Sequence, residues 1–195
     1  RENVKRSTLQ NSFANYKDYL LSLHMYATIK PFEAVYMSRI AQLTNKSNQF
    51  NLTTKRYTQD EIELAAVDDK YITLYGKLED CFGDNGVVSV VIGEISNGEL
   101  HIILWLMSCR VLKRDMEFAM MDTLVQECGK RKISLLKGYY YPTAKNGMVK
   151  EFYKMQGFGK LSEDGKGNTV WQLDISQGYE LKNHVIKVNE GENEK

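Results

Sequence analysis

Apolar residues recur with a helical period in the first third of the chain and mostly with a strand period after it. Over residues 12–23, Phe13, Tyr16, Leu20 and Leu23 share one face of a predicted helix. Pro31, whose missing N–H costs nothing in a first turn, opens a second helix with Phe32, Val35, Tyr36, Ile40 and Leu43 as its apolar stripe. Thr58 and Glu61 have the spacing of a capping box, which starts a short helix carrying Ile62, Leu64 and Ala65. From Lys70 onward the pattern predicts strands over 71–79, 87–92 and 100–108, separated by the turn residues Gly83, Asp84, Asn85 and Gly86 and then Asn97 and Gly98. The third run is almost continuously apolar, as a strand buried on both faces would be. Together the three predict an antiparallel meander. Met116, Met120, Leu124 and Cys128 then repeat every four residues and predict a helix stopped by Gly129. A strand is predicted over 133–139, a helix over 146–156 ended by Gly157, a strand over 169–175 and a short one near 185–188. Residues 1–11 read as a polar linker and 189–195 as a polar, disordered tail.

With 195 residues and 43% hydrophobic composition, the chain can bury one core of ordinary size. A formal net charge of +1 gives no electrostatic case for nucleic acid or a membrane surface. No apolar run reaches membrane-spanning length. Cys81, Cys109 and Cys128 form neither a disulfide framework nor a CxxC pair, and with His24, His101 and His184 equally scattered no metal site is legible. This usage fits a reducing cytoplasm. The first residues, Arg1-Glu2-Asn3, suggest an excised piece of a longer protein.

A strand, a turn beginning at Arg110, a helix, another strand, then Asn146, Tyr153, Gly157 and Phe158 form an order that resembles the GNAT acetyltransferases. The resemblance implies an α+β fold with a mixed, mostly antiparallel central sheet flanked by helices, here with an N-terminal helical extension. It also implies a cleft for an acyl thioester, coenzyme A or phosphopantetheine, between two splayed strands. In that cleft unpaired backbone groups bond the amides of the arm, and the following turn and helix N-terminus bind pyrophosphate. Met107, Ser108, Arg110, Leu112, Lys113, Arg114 and Asn146 are the expected cofactor-binding residues, and Tyr153 the expected general acid for the departing thiolate. Asn146 can equally cap its helix and Tyr153 can equally be a core aromatic. The GNAT turn carries glycines where this chain has Lys113 and Asp115. A side chain there keeps phosphate from the backbone, although Asp115 can simply cap the helix behind it. No general base stands out among Glu79, Asp80, Asp84 and His101.

Four stretches, 42–57, 80–86, 107–112 and 141–146, resemble the C-terminal region of FkbH-like proteins, and the likeness extends over roughly residues 22–158. It implies a parent with an N-terminal HAD-type domain, absent from this chain, and a glyceryl or acyl unit handled on the phosphopantetheine of an acyl carrier protein. The GNAT-like domain is expected over 12–188, either completing the transfer or only binding the arm for the HAD-type domain. The polar 45–57 segment, which a standard acetyltransferase lacks, is expected to contact the missing domain or to line the arm's route.

Overall fold

The computed structural model describes residues 1–190. Its helices are α1 (Glu2–Gln10), α2 (Tyr16–Ser22), α3 (Met37–Lys46), α4 (Gln59–Val67), α5 (Met116–Lys130) and the single turn α6 (Phe152–Met155). Its strands are β1 (Tyr26–Lys30), β2 (Tyr71–Asp80), β3 (Gly83–Ser96), β4 (Glu99–Met107), β5 (Leu135–Tyr140), β6 (Gly159–Glu163), β7 (Thr169–Asp174) and β8 (Lys187–Val188). They form one open sheet in the order β6-β7-β5-β4-β3-β2-β1-β8, antiparallel except at β4–β5 and β1–β8. This is the mixed, mostly antiparallel α+β architecture the element order implied.

Helices bury the sheet on both faces. Leu20, Ile72, Trp105, Met120 and Phe152 belong to one core, beneath α2, α5 and α6. Ile40, Ile62, Tyr75, Ile92 and Leu104 belong to the other, beneath α3 and α4. Side-chain caps fix two helix starts: Asn15 accepts from the Lys17 and Asp18 N–H groups, and Thr58 from that of Glu61.

Several boundaries differ from the sequence expectation. Residues 2–10, read as linker, are helical, and Arg6 is buried against Asp80 with Nε–Oδ2 and Nη2–Oδ1 at 2.8 Å. The helix expected over 12–23 starts only at Tyr16 because Asn15 caps it. β1 was not expected at all. Its five residues, Tyr-Ala-Thr-Ile-Lys, alternate half-buried and buried, a run too short to stand out between two helical patterns. Pro31 precedes a 3-10 turn (Ala34–Tyr36) rather than opening α3, and Val35 of the expected apolar stripe is exposed. The helix expected over 146–156 is a 3-10 turn (Gly147–Val149) followed by α6. Of the expected tail, Asn189 is held to β1, its side chain bonding both the N–H and C=O of Ile29. Residues 191–195 lie outside the described residues.

The parallel pair β4–β5 positions the site. Only Leu100, His101 and Ile102 face β5, at Leu136, Lys137 and Gly138. Ile103 is an extra residue against β3, since Ile92 faces Leu104 while Gly93 faces Ile102. Such a bulge bends its strand, and past it β4 diverges from β5.

Candidate functional site: a filled gap between two strands

The gap between β4 and β5 is occupied by the chain's own residues 50–53. Met107 N–H donates to Phe50 O at 3.0 Å, Leu52 N–H to Trp105 O at 3.0 Å, and Tyr141 N–H to Leu52 O at 2.9 Å. Asn51 and Leu106 form an antiparallel bridge, and Thr53 Oγ1 donates to the carbonyl of the bulged Ile103 at 2.7 Å. The segment thus lies as a short strand between the two it separates, with Phe50 and Leu52 in the core.

The rest of the polar 45–57 stretch holds this strand in place. Asn51 is fully buried; its Nδ2 donates to Ser47 O at 3.1 Å and its Oδ1 accepts from Thr54 N–H at 2.9 Å. Thr44 Oγ1 accepts from Tyr57 N–H at 3.0 Å, and Asn45 Nδ2 donates to Tyr57 O at 2.9 Å. Arg56 spans the loop, donating to Thr44 O, Ser47 O and Asn48 Oδ1. The alternation of Phe50 and Leu52 with Asn51 and Thr53 was the available signal for a strand. The surrounding amides and hydroxyls masked it as loop.

Asn146, fully buried, locks the same strand. Its Nδ2 donates to Asn51 O and to Tyr141 O, both at 3.0 Å, while its Oδ1 accepts from Thr143 N–H at 2.8 Å. The side chain expected at a pantetheine arm is therefore fully engaged with backbone. It makes no side-chain cap to the turn after it.

The turn from Arg110 to Asp115 keeps the backbone of a glycine turn without the glycines. Lys113 and Asp115 have φ of 62° and 64°, the left-handed region that L-residues enter at a cost of about 1–2 kcal/mol. Asp115 makes no side-chain cap bond to α5. Burial raises its pKa, an effect partly offset by His184. Burial likewise raises the pKa of Glu117 in the first turn, outweighing the bond to its own N–H, and the nearby Asp115 adds to the rise. An anion at this helix N-terminus would thus meet two carboxyls. Arg114 faces inward, with Nη1 3.2 Å from Asp80 Oδ2 and Nη2 donating to Arg110 O at 2.7 Å. Ser108 Oγ accepts from Arg110 N–H at 3.3 Å. Arg110 and Lys113 are exposed, Leu112 is half-buried, and Met107 is buried in the core with its N–H committed to Phe50.

Tyr153 is fully buried. Its ring lies on Gly138, where a Cβ would come within 2.5 Å of it, and its ring centroid is 4.9 Å from that of Phe158. The hydroxyl sits beside the Tyr139 backbone without a well-formed hydrogen bond, and burial pushes its pKa up. Tyr153→Phe is expected to change the unfolding free energy by no more than about 0.5 kcal/mol, or to raise it, because a poorly satisfied buried hydroxyl is removed. A denaturant titration checks this, and a loss above about 2 kcal/mol would show that the hydroxyl is structurally used.

Two cavities flank the filled gap. Phe50 walls one of about 300 Å³, with Leu112, Lys113, Glu117, Phe152, Met155 and Gln156. Thr53 walls the other, about 560 Å³, with Lys55, Glu94, His101, Tyr139 and Tyr141. In the larger one His101 Nδ1 is 2.6 Å from Tyr139 Oη, and its Nε2 is 3.6 Å from Glu99, which also pairs with Lys137 at 3.1 Å. Of the other base candidates, Asp80 is buried between two arginines and Asp84 lies 3.8 Å from Lys77. Among the described residues no group of three or more His, Cys, Asp or Glu is placed to hold a metal, and no helix is long and apolar enough to cross a membrane.

No family model matches the chain, and no curated protein matches it by sequence. Solved structures match it in shape. The ribosomal-protein-S18-alanine N-acetyltransferase of Escherichia coli superposes with a TM-score of 0.57 at 14% identity, over 81% of this chain and 99% of that one. A GNAT-family acetyltransferase of Streptococcus pneumoniae gives 0.60 at 14% identity, over 77% and 99%. The PaiA N-acetyltransferase of Thermoplasma acidophilum, solved with coenzyme A, gives 0.58 at 13% identity, over 76% and 98%. The chain has the fold of the GNAT acetyltransferases.

Proposed function

We propose that this domain is a non-catalytic binding module of acetyltransferase fold in an FkbH-like protein. It receives the phosphopantetheine arm of an acyl carrier protein on behalf of an N-terminal HAD-type domain that performs acyl or glyceryl transfer. The observation that carries this reading is the strand of residues 50–53 in the β4–β5 gap. It lies between a cavity walled by Phe50 and one walled by Thr53, so a thioester held in the first would have to pass it to reach an acceptor in the second. The buried Tyr153 and the carboxyls of Asp115 and Glu117 at the α5 N-terminus weigh the same way. A carrier arm bears one phosphodiester, which can stay outside by the exposed Arg110 and Lys113 while the arm enters the smaller cavity.

Calorimetric titration with acetyl-CoA and with a holo acyl carrier protein, its apo form as reference, tests this. Holo carrier is expected to bind measurably better than apo carrier, and acetyl-CoA at least tenfold more weakly than holo carrier. Equal binding of apo and holo carrier, or silence with both, would overturn the arm-binding reading. A second reading, acyl transfer, is favoured by His101 and Tyr139, which line the larger cavity, with Glu99 3.6 Å from His101 Nε2, and requires residues 50–53 to leave the gap. Tight acetyl-CoA binding, with acetyl transfer to an amine, would establish it instead.

A further inference from the structure

We propose that the larger cavity binds a small zwitterion, an amino acid or dipeptide with an apolar side chain. Its ammonium group meets Glu94, its carboxylate meets Lys55, and its side chain lies on Tyr139 and Tyr141. The inference goes beyond the arm-binding reading, and neither depends on the other. At about 560 Å³ the cavity is within the usual range for a small-molecule site. Thr53 and Lys55 on its wall belong to the 45–57 stretch, so its shape is set partly by the chain's own inserted strand.

Two opposite charges on that wall are uncommitted. Glu94 stands half-buried on β3, with Tyr71 and His101 as its cross-strand neighbours. Lys55 Nζ lies 5.0 Å from the centre of the Tyr57 ring. Both border the cavity, yet among the described residues neither side chain makes a hydrogen bond or an ion pair, with the other or with a third group. Lys70 lies near enough to Glu94 to feel its charge, but its Nζ is 4.0 Å from Asp68 Oδ2 and over the Tyr71 ring. His101 is engaged with Tyr139 Oη at 2.6 Å and faces Glu99 at 3.6 Å, and Glu99 pairs with Lys137 at 3.1 Å. A simple anion drawn to Lys55 would meet the Glu94 carboxylate, and a simple cation drawn to Glu94 would meet Lys55. A zwitterion gives each a counter-charge and a charge-assisted hydrogen bond. The adjoining wall is aromatic, with Tyr139 stacked on His101 at 5.9 Å between ring centroids and 6.4 Å from Tyr141, which suits an apolar side chain.

The test is calorimetric titration of the chain with L-leucine, L-phenylalanine and glycyl-L-phenylalanine. Phenylalanine amide, which lacks the carboxylate, and 3-phenylpropanoate, which lacks the ammonium group, are titrated beside them. At least one zwitterion is expected to bind, and both single-charge analogues at least tenfold more weakly than it. Glu94→Gln and Lys55→Met are each expected to lose at least tenfold in affinity for that zwitterion without a change in melting temperature, since neither side chain bonds to the rest of the fold. Should one variant not fold, the other decides. An analogue that binds as tightly as the zwitterion would overturn the proposal by making the site one for a single charge. Affinity kept in either variant, or lost only together with a lowered melting temperature, would overturn it too, as would silence toward all three zwitterions. Carrier binding is read separately, so the arm-binding reading stands or falls on its own titration.

Discussion

Asn146→Ala is expected to lower the unfolding free energy by about 3–5 kcal/mol and to loosen residues 50–53 from the β4–β5 gap. The side chain is fully buried and satisfies three backbone groups: Asn51 O, Tyr141 O and Thr143 N–H. Alanine leaves all three unpaired where water has little access and adds a cavity the size of an amide. Each orphaned group costs about 1–3 kcal/mol, and because the three share one side chain the losses do not simply add. Urea titration measures the total. Hydrogen exchange locates it, with the Leu52 and Tyr141 amides expected to lose protection before those of Ile72 or Leu74 in the sheet. Asn146→Asp separates donor from acceptor, since it keeps an oxygen for Thr143 N–H but turns a carboxylate oxygen toward two carbonyls. A loss below about 1 kcal/mol for alanine would mean that the inserted strand stands without this bracket.

The same residue shows how far the sequence could be read. Asn146 was singled out because of its place before a helix and near an expected cofactor. A 3-10 turn rather than a helix follows it, and its partners are Asn51, Tyr141 and Thr143, the first of them 95 positions away. No local pattern encodes such a pairing. Strands β2 to β5 and β7 and the α5 helix were legible because periodicity reports burial on a face; β6, with all five residues exposed, offers no such pattern and was missed. The β1 strand and residues 50–53 were not legible, because a short strand supplies only two or three inward positions. At residues 50–53 the alternate positions are the polar Asn51 and Thr53, which alone suggest loop, although Asn51 is itself fully buried. Lys113 and Asp115 were read as obstacles in a glycine turn. The backbone there nonetheless follows the left-handed path at both positions, so the turn is set by its surroundings and the side chains are accommodated within it. Tyr16 of α2, whose hydroxyl donates to Lys113 O, and Arg114, bound to Arg110 O, are part of those surroundings.

Arg114 leads to the second large effect. Asp80, with no side-chain exposure, accepts Arg6 at 2.8 Å and Arg114 at 3.2 Å, and its Oδ1 also accepts Phe82 N–H at 2.9 Å. Asp80→Ala is expected to cost about 3–5 kcal/mol, because two buried guanidinium groups would face each other without a counter-charge. The pH dependence separates this electrostatic role from simple packing. Burial alone would raise the Asp80 pKa, but the Arg6 hydrogen bonds, the Phe82 N–H and the charges of Arg6 and Arg114 outweigh it and hold the carboxyl below its usual range. A depressed folded-state pKa means stability that is fully present above the unfolded value, about 3.9, and lost as pH falls through the folded one. Asp80→Asn, which keeps the shape without the charge, is therefore expected to lie well below the wild type at pH 7 and to converge on it in acid. Urea unfolding from pH 7 to pH 2 measures both curves, and a gap that stays constant with pH would sink the electrostatic account. Asp80 also ties α1, through Arg6, to the Arg110–Asp115 turn at the mouth of the smaller cavity. Losing the charge is thus expected to free α1 and that turn together, so exchange protection at Arg6 and Arg114 should fall in step.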